Sequence, residues 1–235
     1  MGNTRRTLAL TQELVMAIDR VLPDAALEPG YEITSDAEFA EATQKLVDEL
    51  ADDTLRVFAY GSLIWRPEFQ HVGHQIGRLA GYRRSFCIDM KSYRATPDQP
   101  GLMMALDVGG SCEGIVYDLP PDDHRSQIER LLRREVPYRE DLGFVHWVEV
   151  RTPDGPRRAL TFYASPRSAG YFVDLPLEEQ AERIALAAGH VGTNAAYLHN
   201  TVVKLMEHGI HDSYLWRLQQ MVADELLDML PQLRS

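Results

Sequence analysis

Glu135 ends the run Leu131-Leu132-Arg133-Arg134-Glu135, and its place in that run is what makes it chemically interesting. Ile128, Leu131 and Leu132 recur at helical spacing, Asp122 or Asp123 can cap the helix start, and Pro137 stops the helix near Val136. Glu135 therefore falls in the last turn, where the partial negative charge of the helix C-terminus opposes ionisation of a carboxylate and raises its pKa. A carboxylate so placed can take and return a proton as a general acid or base. Arg133 and Arg134 push the other way if they contact it, so residue types alone leave the direction of the shift open. A surface glutamate at a helix end is the plainer alternative.

The second candidate group is backbone. Arg56-Val57-Phe58-Ala59 reads as a buried strand running into the turn Tyr60-Gly61-Ser62-Leu63. Gly61 permits positive φ or a close approach to a ligand, so successive N–H groups of Gly61, Ser62 and Leu63 can point outward as donors to an anion or a carbonyl oxygen. An ordinary strand-to-loop bend is the competing reading. Ser62 itself lacks the second glycine of a GxSxG elbow and a matching His–Asp order, so a turn-forming or hydrogen-bonding serine is expected rather than a nucleophile. Tyr163, on the strand Leu160-Thr161-Phe162-Tyr163, either lines the barrel or points its hydroxyl into a pocket; a buried phenol needs a partner in both cases.

His71 and His74 stand at HxxH spacing, as do His208 and His211, which invites a metal reading. Nothing orders a third ligand around either pair, although Asp89, Asp107 and Glu113 are in the chain. Solvated or satisfied histidines, and no metal, are expected. Cys87 and Cys112, the only cysteines, form neither a disulfide framework nor a CxxC site, which suits a reducing cytoplasmic setting.

The elements that must position these groups are predicted from periodicity. Strands are expected at 55–60, 84–90, 102–108, 113–119, 144–151 and 158–164, with hairpins at Gly109-Gly110-Ser111 and at Pro153-Asp154-Gly155-Pro156. Helices follow near 177–189, 193–208 and 212–230, giving an α+β fold with strands first and helices last. Residues 1–53 form a helical extension to the domain of residues 54–235. Leu10, Leu14, Val15, Ile18 and Leu22 mark one helix, a loop over residues 23–29 follows, and a second helix spans about 36–51. With 4 basic and 12 acidic residues, the extension carries −8 of the chain's net charge of −11.

At 235 residues and 45% hydrophobic content, the chain can bury one substantial core. Its negative charge disfavours nucleic acid and anionic membrane surfaces as partners. The densest cationic stretch, Arg78, Arg83, Arg84, Lys91 and Arg94, is interleaved with apolar residues and reads as a solvated sheet face. After Met1-Gly2-Asn3-Thr4-Arg5-Arg6, the stretch Thr7-Leu8-Ala9-Leu10-Thr11-Gln12-Glu13 is too polar for the core of a signal peptide, and no apolar run is long enough to span a bilayer. A soluble, cytoplasmic protein is expected. No motif specifies an oligomeric state.

Four blocks, in order, carry a resemblance: Phe58-Ala59-Tyr60-Gly61-Ser62-Leu63-Ile64-Trp65, Gln99-Pro100-Gly101-Leu102-Met103, Arg134-Glu135, and Gly192-Thr193-Asn194-Ala195-Ala196-Tyr197-Leu198. Together they resemble the ChaC-like γ-glutamylcyclotransferases, over residues 55 to about 230. The resemblance implies a small, mostly antiparallel β-barrel with flanking helices, glutathione as the small-molecule substrate, 5-oxoproline and Cys-Gly as products, and no metal or organic cofactor. It places the substrate-binding loop on Ala59, Tyr60, Gly61, Ser62, Leu63 and Ile64, and the catalytic glutamate on Glu135; it also permits Asn194 a place near the site, where the residue type alone suggests a cap or packing polar. The loop after Glu135 departs from the family pattern, and Leu102 stands where many members carry Arg after Pro-Gly.

The residue types agree with this chemistry. A γ-glutamyl amide carries its own nucleophile, the α-amine, within reach of the γ-carbonyl, so no Ser or Cys nucleophile is required. The protein must fold the substrate, move protons and hold a developing oxyanion. A cyclotransferase for another γ-glutamyl peptide or amine, or a non-catalytic module holding a small carboxylated ligand, would use the same pocket.

Overall fold

The computed structural model describes residues 7–23, 31–50 and 54–233. In chain order the first elements are α1 (Gln12–Ala17), α2 (Asp36–Leu50), β1 (Arg56–Ala59), α3 (Ser62–Trp65), β2 (Gly73–Met90), β3 (Gly101–Asp118) and α4 (His124–Glu135). There follow β4 (His146–Thr152), β5 (Gly155–Thr161), α5 (Leu177–Leu186), the short pair β6 (Ala188–Gly189) and β7 (Gly192–Thr193), α6 (Asn194–Glu207) and α7 (Ser213–Leu233). The expected loop over 23–29 lies, but for its first residue, outside the described residues, as do residues 1–6. No described helix is long and apolar enough to cross a membrane. The described residues fall into two compact units, one within Met1–Ala26, Phe86–Met103 and Val173–Ser235, the other within Leu27–Ser85 and Met104–Phe172.

The second of these units holds a closed barrel with strand order β1-β3-β2-β4-β5. β1 pairs antiparallel with β3, from Arg56 opposite Asp118 to Ala59 opposite Ile115, and parallel with β5 at Val57 and Leu160. The mixed α and β content agrees with the α+β pattern, and the mostly antiparallel barrel is the architecture that the resemblance implies. β1 has only four residues, but Val57, Phe58 and Ala59 are wholly buried, and burying the Phe58 ring alone stabilises the fold by about 1.5–3 kcal/mol. Parallel neighbours leave a barrel at the same end, so the residues after β1 and β5 emerge side by side. Tyr60 Oη donates to the Phe162 carbonyl at 2.9 Å, and Thr161 Oγ1 donates to the Phe58 carbonyl at 3.2 Å.

Residues 102–108 and 113–119 are not two strands joined by a hairpin but one strand, β3, which is 18 residues long; β2 is equally long and begins at Gly73 rather than near residue 84. Gly109 and Gly110 do take positive φ, 101° and 73°, yet Gly81 on the neighbouring β2 does too, at 84°. Arg78 reaches Ser111 at 2.9 Å and Arg83 reaches Asp107 at 2.8 Å, so the two strands stay in register on both sides of these glycines and bend together. Positive-φ glycine serves a bend as readily as a reversal, and the length of the partner strand decides between them. The cationic stretch is not a uniformly solvated face either: Arg78, Arg83 and Lys91 are exposed, but Arg84 is buried. The Pro153–Pro156 hairpin is present, joining β4 to β5 with Gly155 at φ 102°.

α2 and α4 pack against each other in this same unit. Ser35 and Glu38 form a reciprocal cap at the start of α2: the Ser35 N–H donates to the Glu38 carboxylate at 2.8 Å and the Glu38 N–H to Ser35 Oγ at 3.3 Å. Asp123 caps α4 by accepting the Ser126 N–H at 3.3 Å. Arg133 lies over the Phe39 ring and pairs with Asp36 and Glu129, so of the two arginines at the end of α4 it is turned to α2.

In the other unit, α5, α6 and α7 pack on one another and α1 packs on α6 and α7. Buried Gln219 accepts the N–H groups of Ala9 and Leu10 at 3.0 and 2.8 Å, tying the chain start to α7.

Candidate active site

Glu135 is the last residue of α4, which Pro137 ends as the pattern predicts. Its carboxylate pairs with Arg134 Nε at 3.0 Å, and 14% of its side-chain surface reaches solvent. Burial pushes the Glu135 carboxyl up to about 7; the Arg134 guanidinium pulls it down, and nearby Glu68 pushes it further up. The direction left open by the residue types is thus upward, and the chief cause is loss of water rather than the charge of a neighbour. Arg134 also donates to the carbonyls of Arg66 and Pro67, which follow α3 directly. That fork brings the end of α4 to the segment leading out of the Tyr60-Gly61-Ser62-Leu63 turn.

The turn itself becomes the four-residue helix α3. Gly61 precedes it with φ −136° and ψ −124°, so of the two uses open to that glycine, positive φ is not the one taken. The Ile64 N–H donates to the Gly61 carbonyl at 3.0 Å, closing the turn, while the N–H groups that open a helical turn have no acceptor within it. Ala59, Tyr60, Leu63 and Ile64 bury their side chains, so what these positions can offer a ligand is backbone; Ser62 is half-buried. Buried Arg84 on β2 fixes the entrance to the turn, donating from Nε to the Tyr60 carbonyl at 2.7 Å and from Nη2 to the Glu113 carbonyl.

Tyr163 stands just past β5 rather than on it, with φ 47°, a left-handed conformation that is uncommon outside glycine. Its hydroxyl donates to Asp141 Oδ2 at 2.7 Å, and Tyr171 donates to Asp141 Oδ1. Asp141 is buried with 2% exposure. Burial, the Asp141 charge and the charge of Glu135 all hold the Tyr163 phenol well above its ordinary pKa, so it keeps its proton. Glu135, the loop after β1 and Tyr163 therefore gather at one end of the barrel.

His71 and His74 meet edge-on and both lie tilted against Tyr117, His211 lies against Trp216, and among the described residues no three His, Cys, Asp or Glu side chains are arranged to hold a metal. Asn194 belongs to the helical unit, where its side chain accepts the Leu102 N–H at 2.8 Å and donates to the Leu102 carbonyl at 2.9 Å; Thr193 caps α6 instead. Tyr197 packs edge-on against Phe86 in that unit. Leu102 is wholly buried.

Sequence reasoning missed Asp141, Tyr171, Arg84 and Gly114. Asp141 sits in Arg139-Glu140-Asp141, where two neighbouring charged residues make it look solvated. Gly114 carried a usable signal: an isolated glycine inside a strand marks a close backbone approach, and a Cβ there would lie 2.4 Å from the Ala59 carbonyl oxygen.

Comparison with known proteins places this geometry in a family. The family model for ChaC-like proteins matches residues 55–225. An Escherichia coli protein named glutathione-specific gamma-glutamylcyclotransferase is 29% identical over 94% of this chain and 96% of its own length. A human protein, glutathione-specific gamma-glutamylcyclotransferase 1, is 31% identical over 61% of this chain and 66% of its own. A crystal structure described as a γ-glutamyl cyclotransferase specific to glutathione from yeast superposes with a TM-score of 0.62 at 22% identity, covering 73% of this chain and 96% of that one, and shares the fold. The match to the family model extends over most of the barrel and the helices after it, and the chain belongs to the ChaC-like family.

Proposed function

We propose that this protein is a glutathione-specific γ-glutamylcyclotransferase, working in the cytoplasm on a small-molecule substrate without metal or organic cofactor. The observation that carries the reading is Glu135, a largely but not fully buried carboxylate raised to about 7 and tied through Arg134 to the segment that follows the Tyr60–Leu63 turn. The names of the bacterial and mammalian relatives support glutathione as the substrate.

The reaction is an intramolecular aminolysis. The α-amine of the γ-glutamyl group attacks the γ-carbonyl, a five-membered lactam forms, and the amide bond to Cys-Gly breaks, with no water consumed. Holding amine and carbonyl together can supply several kcal/mol of the barrier reduction, on the order expected for a well-oriented intramolecular reaction. Glu135 takes a proton from the ammonium as the new bond forms and returns it to the departing amine of Cys-Gly, and a group with a pKa near neutrality suits both transfers. The N–H groups of Gly61, Ser62 and Leu63 face the developing oxyanion, and the buried Tyr60, Leu63 and Ile64 side chains hold that backbone in place.

Incubating the purified protein with glutathione and with a panel of γ-glutamyl dipeptides, while assaying 5-oxoproline, tests the proposal. Release from glutathione in preference to the panel is expected. Release from another member alone would transfer the activity to a different γ-glutamyl substrate, and release from none would point to a non-catalytic binding module.

A further inference from the structure

Asp141 takes no part in the proton transfers above, yet it is among the most deeply buried carboxyl groups of the barrel unit, with 2% exposure, and both its oxygens are occupied by phenols. A carboxylate only accepts hydrogen bonds, so Tyr163 and Tyr171 must both donate to it. Having given its one hydrogen to Asp141, the Tyr163 oxygen keeps only lone pairs to offer anything else. Tyr163 is also held at φ 47°, a conformation that persists only where surrounding structure imposes it. The Asp141 hydrogen bond is a part of that constraint that can be named.

We propose that Asp141 is a positioning residue: by fixing the direction of the Tyr163 hydroxyl it makes the Tyr163 oxygen an acceptor beside Glu135, the subsite for the α-ammonium group of a γ-glutamyl substrate. The identity of the substrate rests on the cyclotransferase reading. An acceptor on one side of the ammonium and the carboxylate of Glu135 on the other hold the amine where its proton is removed. The Tyr163 phenol, its own pKa raised by burial, does not compete for that proton.

The test is a binding comparison that does not depend on turnover. A γ-glutamyl tripeptide whose scissile amide is replaced by –CH2CH2– and its counterpart lacking the α-amine are titrated calorimetrically into the parent protein and into Asp141→Asn. The asparagine side chain has one acceptor oxygen where the carboxylate has two, and its NH2 reverses one of the hydroxyls. The parent should prefer the amine-bearing compound by more than tenfold, and Asp141→Asn should cut that preference roughly tenfold, the order of one charge-assisted hydrogen bond, leaving the part that Glu135 supplies, while binding the des-amino compound within about twofold of the parent. Tyr163→Phe should behave like Asp141→Asn, and keeps the test decisive if Asp141→Asn does not fold. Tyr171→Phe should retain the preference. Equal weakening of both compounds would reduce Asp141 to a structural role, and equal binding of both by the parent would remove the subsite; either result overturns the proposal. Failure of the parent to release 5-oxoproline from any γ-glutamyl compound would instead overturn the cyclotransferase reading, with the subsite still judged by the titrations.

Discussion

At Glu135 the folded protein holds a proton that the unfolded chain releases. The ordinary value of 4.5 is raised to about 7, so between those two values the native state binds the extra proton and stability falls as pH rises. Glu135→Gln cannot ionise. Its stability relative to the parent should therefore climb from near zero at about pH 4 to about 3 kcal/mol above about pH 8, read from urea unfolding across that range. In the proposed mechanism the same group must be ionised to act as a base, so kcat/KM for glutathione should rise with pH through an apparent pKa near 7. Glu68→Gln removes a negative neighbour and should move that limb down in pH; Arg134→Gln removes the cation and should move it up. Glu135 was legible in the sequence because a helix stop follows it at Pro137, but the dominance of burial over the helix end and its arginines was not, since it depends on which atoms close around the carboxylate.

β1 and β5 fix the site by where they end. Their parallel pairing sets Tyr60-Gly61 and Tyr163 next to each other, a juxtaposition that Val57 opposite Leu160 establishes and that no local pattern encodes. Gly114 lets β3 pass within touching distance of the end of β1: a Cβ there would lie 2.4 Å from the Ala59 carbonyl oxygen and 2.8 Å from the Phe58 ring. Gly114→Ala should lower stability by about 1–3 kcal/mol in thermal or urea unfolding and, by displacing the strand that feeds the turn, lower kcat as well. The local punctuation was read correctly where chain neighbours decide it, as at the Pro153–Pro156 hairpin and the ends of α4. It was misread at Gly109-Gly110, where a distant strand of equal length decides, and at Tyr163, where the strand stops two residues earlier and a buried carboxylate takes over.

Over the whole molecule, the acidic first segment was visible as charge and periodicity, but its link to the site was not. Residues 32–34 run alongside the chain that follows Glu135: the Thr34 N–H donates to the Pro137 carbonyl at 2.9 Å, the Arg139 N–H donates to the Glu32 carbonyl at 2.9 Å, and Ile33 bridges to Tyr138. Tyr31 packs on both Tyr138 and Tyr171, the latter a partner of Asp141. Deleting residues 1–34 should therefore lower the unfolding midpoint and kcat/KM together; parental kcat/KM in the truncated chain would confine the segment to a role elsewhere. The proposed role of Glu135 in moving the protons of γ-glutamyl cyclisation is tested most directly by 5-oxoproline release at saturating glutathione by the parent and by Glu135→Gln, with the folded state of each verified by circular dichroism. The proposed mechanism predicts a loss of kcat of about 10²- to 10⁴-fold in a folded variant, the range for a general acid–base. Turnover by folded Glu135→Gln within a few-fold of the parent would contradict it.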